Sequence, residues 1–172
     1  MIQGILSKFP MLYGLIRAHD YVKDPAISFC AVGDVNRDAA PLQVSPFQEG
    51  KWVEFGARNL YLEGGEGGEG SEGGEPPHES YELAAYFYNR FTELTHHELA
   101  FFFVIGDESF EEHPSASLYE KCLGVPVEET LIDGRGEWKR LMATYNVFHI
   151  RKQYGDSVQD RAILSQWVTT LG

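Results

Sequence analysis

The sequence predicts an α/β domain organised on a doubly wound, mostly parallel sheet flanked by helices, and three observations carry that expectation. Three short runs are apolar almost without a break: Ala26–Val32 (AISFCAV), Leu99–Ile105 (LAFFFVI) and Tyr145–Ile150 (YNVFHI). Runs of this length suit strands covered on both faces, the habit of parallel sheets. The segments between them place apolar residues three and four apart, as helices with one buried face do. Helix, strand, helix, strand, helix, strand, helix is then the order of a doubly wound sheet.

The first helical segment carries Ile2, Ile5, Phe9, Leu12 and Ile16 near one face, with Pro10 expected to kink or split it. The Glu79–Leu94 segment, after Pro76-Pro77, aligns Leu83, Ala84, Phe87, Tyr88, Phe91 and Leu94 and is the clearest helix in the chain. Ser115–Leu123 has an N-cap serine and Gly124 as its stop. A short helix is expected around Glu137–Ala143, and Ser157–Leu171 gathers Ile163, Leu164, Trp167, Val168 and Leu171 on one side. Trp52, Trp138 and Trp167 are expected to pack.

One segment differs in kind. In Glu63–Glu75 (EGGEGGEGSEGGE) seven of the eleven positions from 64 to 74 are glycine, which cannot pack a core, so a flexible acidic loop is expected within a single domain spanning residues 1–172. A phosphate cradle is disfavoured there by the glutamates, and no Lys-Ser/Thr pair follows.

The 172 residues include 26 acidic and 14 basic side chains, a formal net charge of −12. That field opposes binding to nucleic-acid backbones and anionic membranes. No stretch approaches a membrane span and no signal peptide is legible at the N-terminus, so a cytoplasmic protein is expected. Cys30 and Cys122 sit among apolar residues, as reduced buried thiols do.

Ligands of open parallel sheets collect beyond the carboxyl ends of the strands. Two of the apolar runs end in the same dipeptide, Gly33-Asp34 and Gly106-Asp107, the first continuing to Asp38 and the second to Glu108, Glu111 and Glu112. On adjacent strand tips Asp34 and Asp107 would share one crevice, about 5–10 Å apart by strand spacing. Clustered carboxylates repel unless a cation or proton separates them, and hard oxygen ligands suit Mg²⁺ or another divalent cation. Against this stands the commoner role of such an aspartate, capping the turn after its strand. Of the histidines, the pair His96-His97 reads as a solvated turn and His149 as a satisfied strand histidine. His113 is the one to watch, for its closeness in sequence to Asp107.

The order GDVNRDAAPLQVSPF, then LYLEGGEGG with ESYELAAYF, then LAFFFVIGDE, resembles the von Willebrand factor A-like domains of many bacterial and phage proteins. The resemblance runs from about Ala26 to Trp167 and implies a Rossmann-type doubly wound fold. It puts Asp107 where the last acidic metal ligand stands and Glu79 or Ser80 near the threonine ligand. It further implies a non-enzymatic module that engages an acidic group of a protein partner, with Asp38 and Glu108 beside the site.

The family's central strand ends in Asp-x-Ser-x-Ser, and the chain contains no such motif. Either the two neighbouring strands close up, another chain supplies the missing strand, or the reading frame is truncated or misannotated; truncation is the expectation, and with it a remnant metal site of weak affinity. Two alternatives stand beside this reading. GDVNRD partly resembles the GDxxDR segment of metallophosphoesterases, although the early Asp-x-His and later Gly-Asn-His-Glu of that family are missing. A purely structural role within a larger viral or bacterial protein is the other.

Overall fold

In the computed structural model, which describes residues 8–61, 79–94, 99–153 and 155–172, the three apolar runs form strands in two separate sheets. The first run supplies β1 (Cys30–Val32), which pairs with β2 (Leu42–Val44). Ile27 and Gln48 exchange hydrogen bonds of 2.8 and 2.9 Å, and the Ser45 N–H donates to the Phe29 carbonyl at 2.8 Å. This is antiparallel pairing. The expectation that Ala26–Val32 joins a parallel sheet is therefore corrected among the described residues. A link as short as Gly33–Pro41 can join antiparallel neighbours only, because a parallel return needs a long crossover.

The other two runs do pair in parallel. Strand β3 (Phe101–Gly106) lies beside β4 (Asn146–Arg151) with Phe101 opposite Asn146 and Gly106 opposite Arg151. The crossover between them contains α4 (Ala116–Leu123) and α5 (Gly134–Leu141). Its length meets the requirement for a parallel connection.

Burial along β3 alternates, with Phe101, Phe103 and Ile105 exposed and Val104 buried. On β4 the exposed residues are Asn146, Phe148 and Ile150. The sheet is thus covered on one face, and the expectation of burial on both faces is corrected. An apolar run fixes how much surface wants burial; what covers each face depends on elements elsewhere in the chain.

The covered face packs under α3 (Tyr81–Phe91), α5 and α6 (Ser157–Leu171). Trp138 of α5 and Trp167 of α6 are buried and meet edge to face at 5.1 Å. Phe102, Phe110, Tyr88 and Tyr145 complete an aromatic core. Truncating Trp138 to alanine would cost about 3–5 kcal/mol, the usual range for a large aromatic in a closed core. Trp52 departs from the packing expectation: it is 56 % exposed, with Phe55 and the Lys51 ammonium against its ring.

Helix boundaries follow local chemistry. In α1 (Phe9–Ala18) Pro10 falls in the first turn, where an N–H has no helical partner to lose; the residues before Lys8, on which the expected kink or split depends, lie outside the described residues. Ile2 and Ile5 lie outside the described residues, as do the Glu63–Glu75 segment and His96-His97. Gly124 closes α4 in the left-handed conformation, φ 68°, which only glycine adopts without strain. Asp133 caps α5 by accepting the Gly136 N–H, and Asp156 caps α6 by accepting from Val158 and Gln159.

Contacts divide the chain into two compact units, Met1–Ala31 with Leu42–Glu69, and Val32–Pro41 with Gly70–Gly172. The first holds α1 and α2 (Trp52–Arg58) around Tyr13, Phe29, Val53 and Ala57. The second holds the parallel sheet and every predicted site residue. No helix among the described residues is long and apolar enough to cross a membrane.

Candidate functional site

The turn after β1 is built from its own carboxylates. Asp34, 7 % exposed, accepts the Asn36 N–H on Oδ1 at 2.8 Å, and its Oδ2 lies 3.6 Å from Arg37 Nε. Asp38 folds back so that its Oδ2 accepts the Asp34 N–H at 2.7 Å. Short acidic side chains holding nearby backbone donors are what a tight polar turn requires.

Ser80 precedes α3, in the position from which a serine normally caps a helix. Its hydroxyl instead accepts the Val35 N–H at 3.2 Å, and its N–H donates to the Gly33 carbonyl at 3.0 Å. The first of these bonds is buried, and together they stitch the Asp34 turn to the start of α3.

The next residue reaches the end of β3. The Tyr81 hydroxyl donates to Glu79, and a Cβ at Gly106 would overlap that hydroxyl, so only glycine admits the ring there. Burial first, then Glu79 and Asp107, push the Tyr81 hydroxyl well above its ordinary titration range. Asp107 is half-buried, and the Glu108 carbonyl accepts the Trp167 indole N–H at 2.9 Å. Consecutive residues Ser80 and Tyr81 thus tie both Gly-Asp turns to one helix start.

Asp34 and Asp38 serve backbone donors, Arg37 lies against Asp34, and Glu79 holds the Tyr81 hydroxyl. Among the described residues no three His, Cys, Asp or Glu side chains gather closely enough to hold a metal ion. The capping role weighed in the sequence describes what Asp34 does here.

Further along, Glu112 is exposed and pairs with Arg135, which holds its carboxyl below the usual range, and His113 is exposed beside it. His149 stacks on Trp167 at 4.2 Å. Burial, with Arg151 adding to it, lowers its titration to about 4. Its Nε2 is buried with no partner among the described residues, so the expectation of a satisfied histidine is corrected. Cys30 and Cys122 are not joined in a disulfide, and burial pushes the Cys30 thiol up to about 12.

Two features escape sequence reasoning. Glu82, fully buried in the first turn of α3, accepts the Glu111 N–H at 3.0 Å and the Tyr119 hydroxyl at 3.2 Å. Burial raises its carboxyl to about 7. Its signal was its spacing: positions 82, 85, 86 and 89 share one helical face. The second is the outer face of the parallel sheet. Phe103 and Phe148 stack across the strands at 5.4 Å, Phe101 stacks on both, and Ile105 stands opposite Ile150.

The other unit carries a pocket of about 200 Å³ lined in part by Val44, Phe55 and Leu60, which no predicted site residue lines. Comparison of the chain with models of known protein families, with curated proteins and with solved structures returns no match.

Proposed function

We propose that the chain is a non-enzymatic protein-binding module whose docking surface is the outer face of the β3–β4 sheet. One observation carries this reading: five large apolar side chains, Phe101, Phe103, Ile105, Phe148 and Ile150, form a contiguous exposed face, each 42–57 % exposed. Parallel sheets are ordinarily covered on both sides, and a contiguous exposed apolar patch on a folded unit marks an interaction surface. At roughly 100 Å² left open per side chain, the five offer on the order of 500 Å² of apolar area, enough for the centre of a modest interface.

The reading keeps the partner-binding role that the von Willebrand factor A-like resemblance implies and moves it off the metal notch. The turn carboxylates favour the same choice over a phosphoesterase, since Asp34 and Asp38 of GDVNRD are spent on backbone donors.

Site-specific photocrosslinking in cells tests it. A photoreactive phenylalanine analogue at position 103 or 148 should form adducts with one and the same second protein, while the analogue at exposed Lys121 on α4 forms none. No adduct, or adducts only with the chain's own residues, would refute the proposal.

A further inference from the structure

Resting on that reading, we infer that the partner binds by adding an extended strand to the free edge of β3, and that this strand carries alternating apolar side chains and a basic residue at one end. The Asn146 N–H donates to the Ala100 carbonyl, which fixes the parity of the parallel ladder. Even-numbered residues of β3 face β4, and the backbone N–H and C=O groups of Phe101, Phe103 and Ile105 point to the opposite edge. Among the described residues β3 is hydrogen-bonded to β4 alone. A six-residue strand with one row of unused donors and acceptors is a template for another strand.

The side chains of those same three residues stand on the exposed face. A strand laid along the edge would turn every second side chain to that face, beside Phe101, Phe103 and Ile105, and extend the aromatic stack.

The charge of the added strand follows from what lies at its end. Beyond Gly106 come Asp107 and Glu108, with Glu79 held close by Tyr81, and exposed Glu111 further on. The chain as a whole carries −12. A lysine or arginine at the matching end of the incoming strand meets an acidic rim, whereas a glutamate there is repelled. The same field disfavours a second copy of this chain as the donor.

The test uses synthetic peptides and the full chain. The added strand is taken to run parallel to β3, as β4 does, so the probe is a fluorescein-labelled nine-residue peptide of alternating valine and threonine with two lysines at its C-terminus, the end that meets Asp107. Controls are the same peptide with both lysines replaced by glutamate, and one with a central proline that removes an edge donor. The lysine peptide should bind at low salt with shifts confined to the amides of Phe101, Phe103 and Ile105 and their neighbours. The glutamate peptide should bind at least tenfold more weakly and the proline peptide not measurably. Phe103→Lys, at an exposed position that should leave the fold intact, should abolish binding of the lysine peptide.

Failure of the lysine peptide to bind at 1 mM would overturn strand addition. Equal binding of the lysine and glutamate peptides would overturn the charge assignment, and a stable dimer of the chain alone that excludes the peptide would replace the partner with a second copy. If crosslinks form at Phe103 while the peptides fail, the binding module stands and the strand-addition mode falls.

Discussion

Glu82 gives the sharpest quantitative test of the packing. Its carboxyl is fully buried, hydrogen-bonded to the Glu111 N–H and the Tyr119 hydroxyl, and raised by burial from 4.5 to about 7. A folded-state value above the unfolded one means that the folded protein holds the proton more tightly between the two. Stability contributed by the neutral form is fully present below about pH 4.5 and is lost as pH rises to about 7. Each pH unit of that interval corresponds to about 1.4 kcal/mol, so ionising Glu82 in place costs up to about 3 kcal/mol at pH 8. Glu82→Gln keeps the shape and both bonds, its oxygen accepting from Glu111 and its amide donating to the Tyr119 oxygen. The variant should therefore be more stable than the parent at pH 8, by up to about 3 kcal/mol or roughly 6–12 °C in Tm for a chain of this size. Near pH 4.5 the advantage should vanish. Urea denaturation at pH 4.5, 6, 7 and 8 reads the difference directly. Curves for the two proteins that run parallel across this range would refute the assignment of a buried, proton-holding carboxylate.

Arg90 grips Glu137 through two bonds of 2.8 and 2.9 Å and also reaches Glu129, while its guanidinium lies 3.6 Å over the Tyr86 ring. Glu137 is buried but would keep Arg140 at 3.0 Å and the Asn89 amide at 2.8 Å, so Arg90→Ala should cost about 1.5–3 kcal/mol in chemical denaturation; a loss under 1 kcal/mol would show the pair to be solvated. Gly106→Ala should destabilise by about 1–3 kcal/mol through overlap with Tyr81, and Tyr81→Phe should restore part of that in a double-mutant cycle. Addition of 5 mM Mg²⁺ or Mn²⁺ should leave Tm unchanged, since Asp34 and Asp38 already serve backbone donors; a rise abolished by Asp107→Ala would restore the ion site.

What the sequence shows well is periodicity. The bounds of α6 coincide with Ser157–Leu171, and the Gly124 stop and the strands at 101–106 and 146–151 follow from patterns a few residues long. Pairing is a different matter, because a run such as AISFCAV contains no information about which strand lies beside it. The nine residues from Gly33 to Pro41 decide that, by being too few for a crossover. LAFFFVI hides its sidedness for a related reason: when every position is apolar, alternation disappears from the sequence, and only the folded strand shows it, with Phe101, Phe103 and Ile105 exposed and Val104 buried. The Gly-Asp dipeptides posed the same ambiguity in chemical form. A ligand aspartate and a capping aspartate look alike in one dimension, and Asn36, Arg37 and Asp38, all adjacent to Asp34, are what commit it to the turn.

The distribution of carboxylates bears on how an exposed aromatic face can avoid pairing with a second copy of itself. Asp34, Asp38, Asp133 and Asp156 hold backbone donors, and Glu82 and Glu137 are buried in hydrogen-bonded networks. Among the described residues Asp20, Asp24, Glu49, Glu93, Glu111 and Glu128 are exposed, and over the chain acids outnumber bases by 26 to 14. Two copies bringing their Phe101–Phe148 faces together would have to bring those fields together as well, and at low ionic strength the repulsion acts across the whole approach. The apolar face supplies attraction without selectivity, and the surplus charge removes the commonest wrong partner, another copy of the same chain. Sedimentation of the isolated chain should accordingly show a monomer at 20 mM salt and growing self-association toward 1 M. Association that weakens with salt would mean that the face is held by charge pairs, and that the stacked phenylalanines are not its centre.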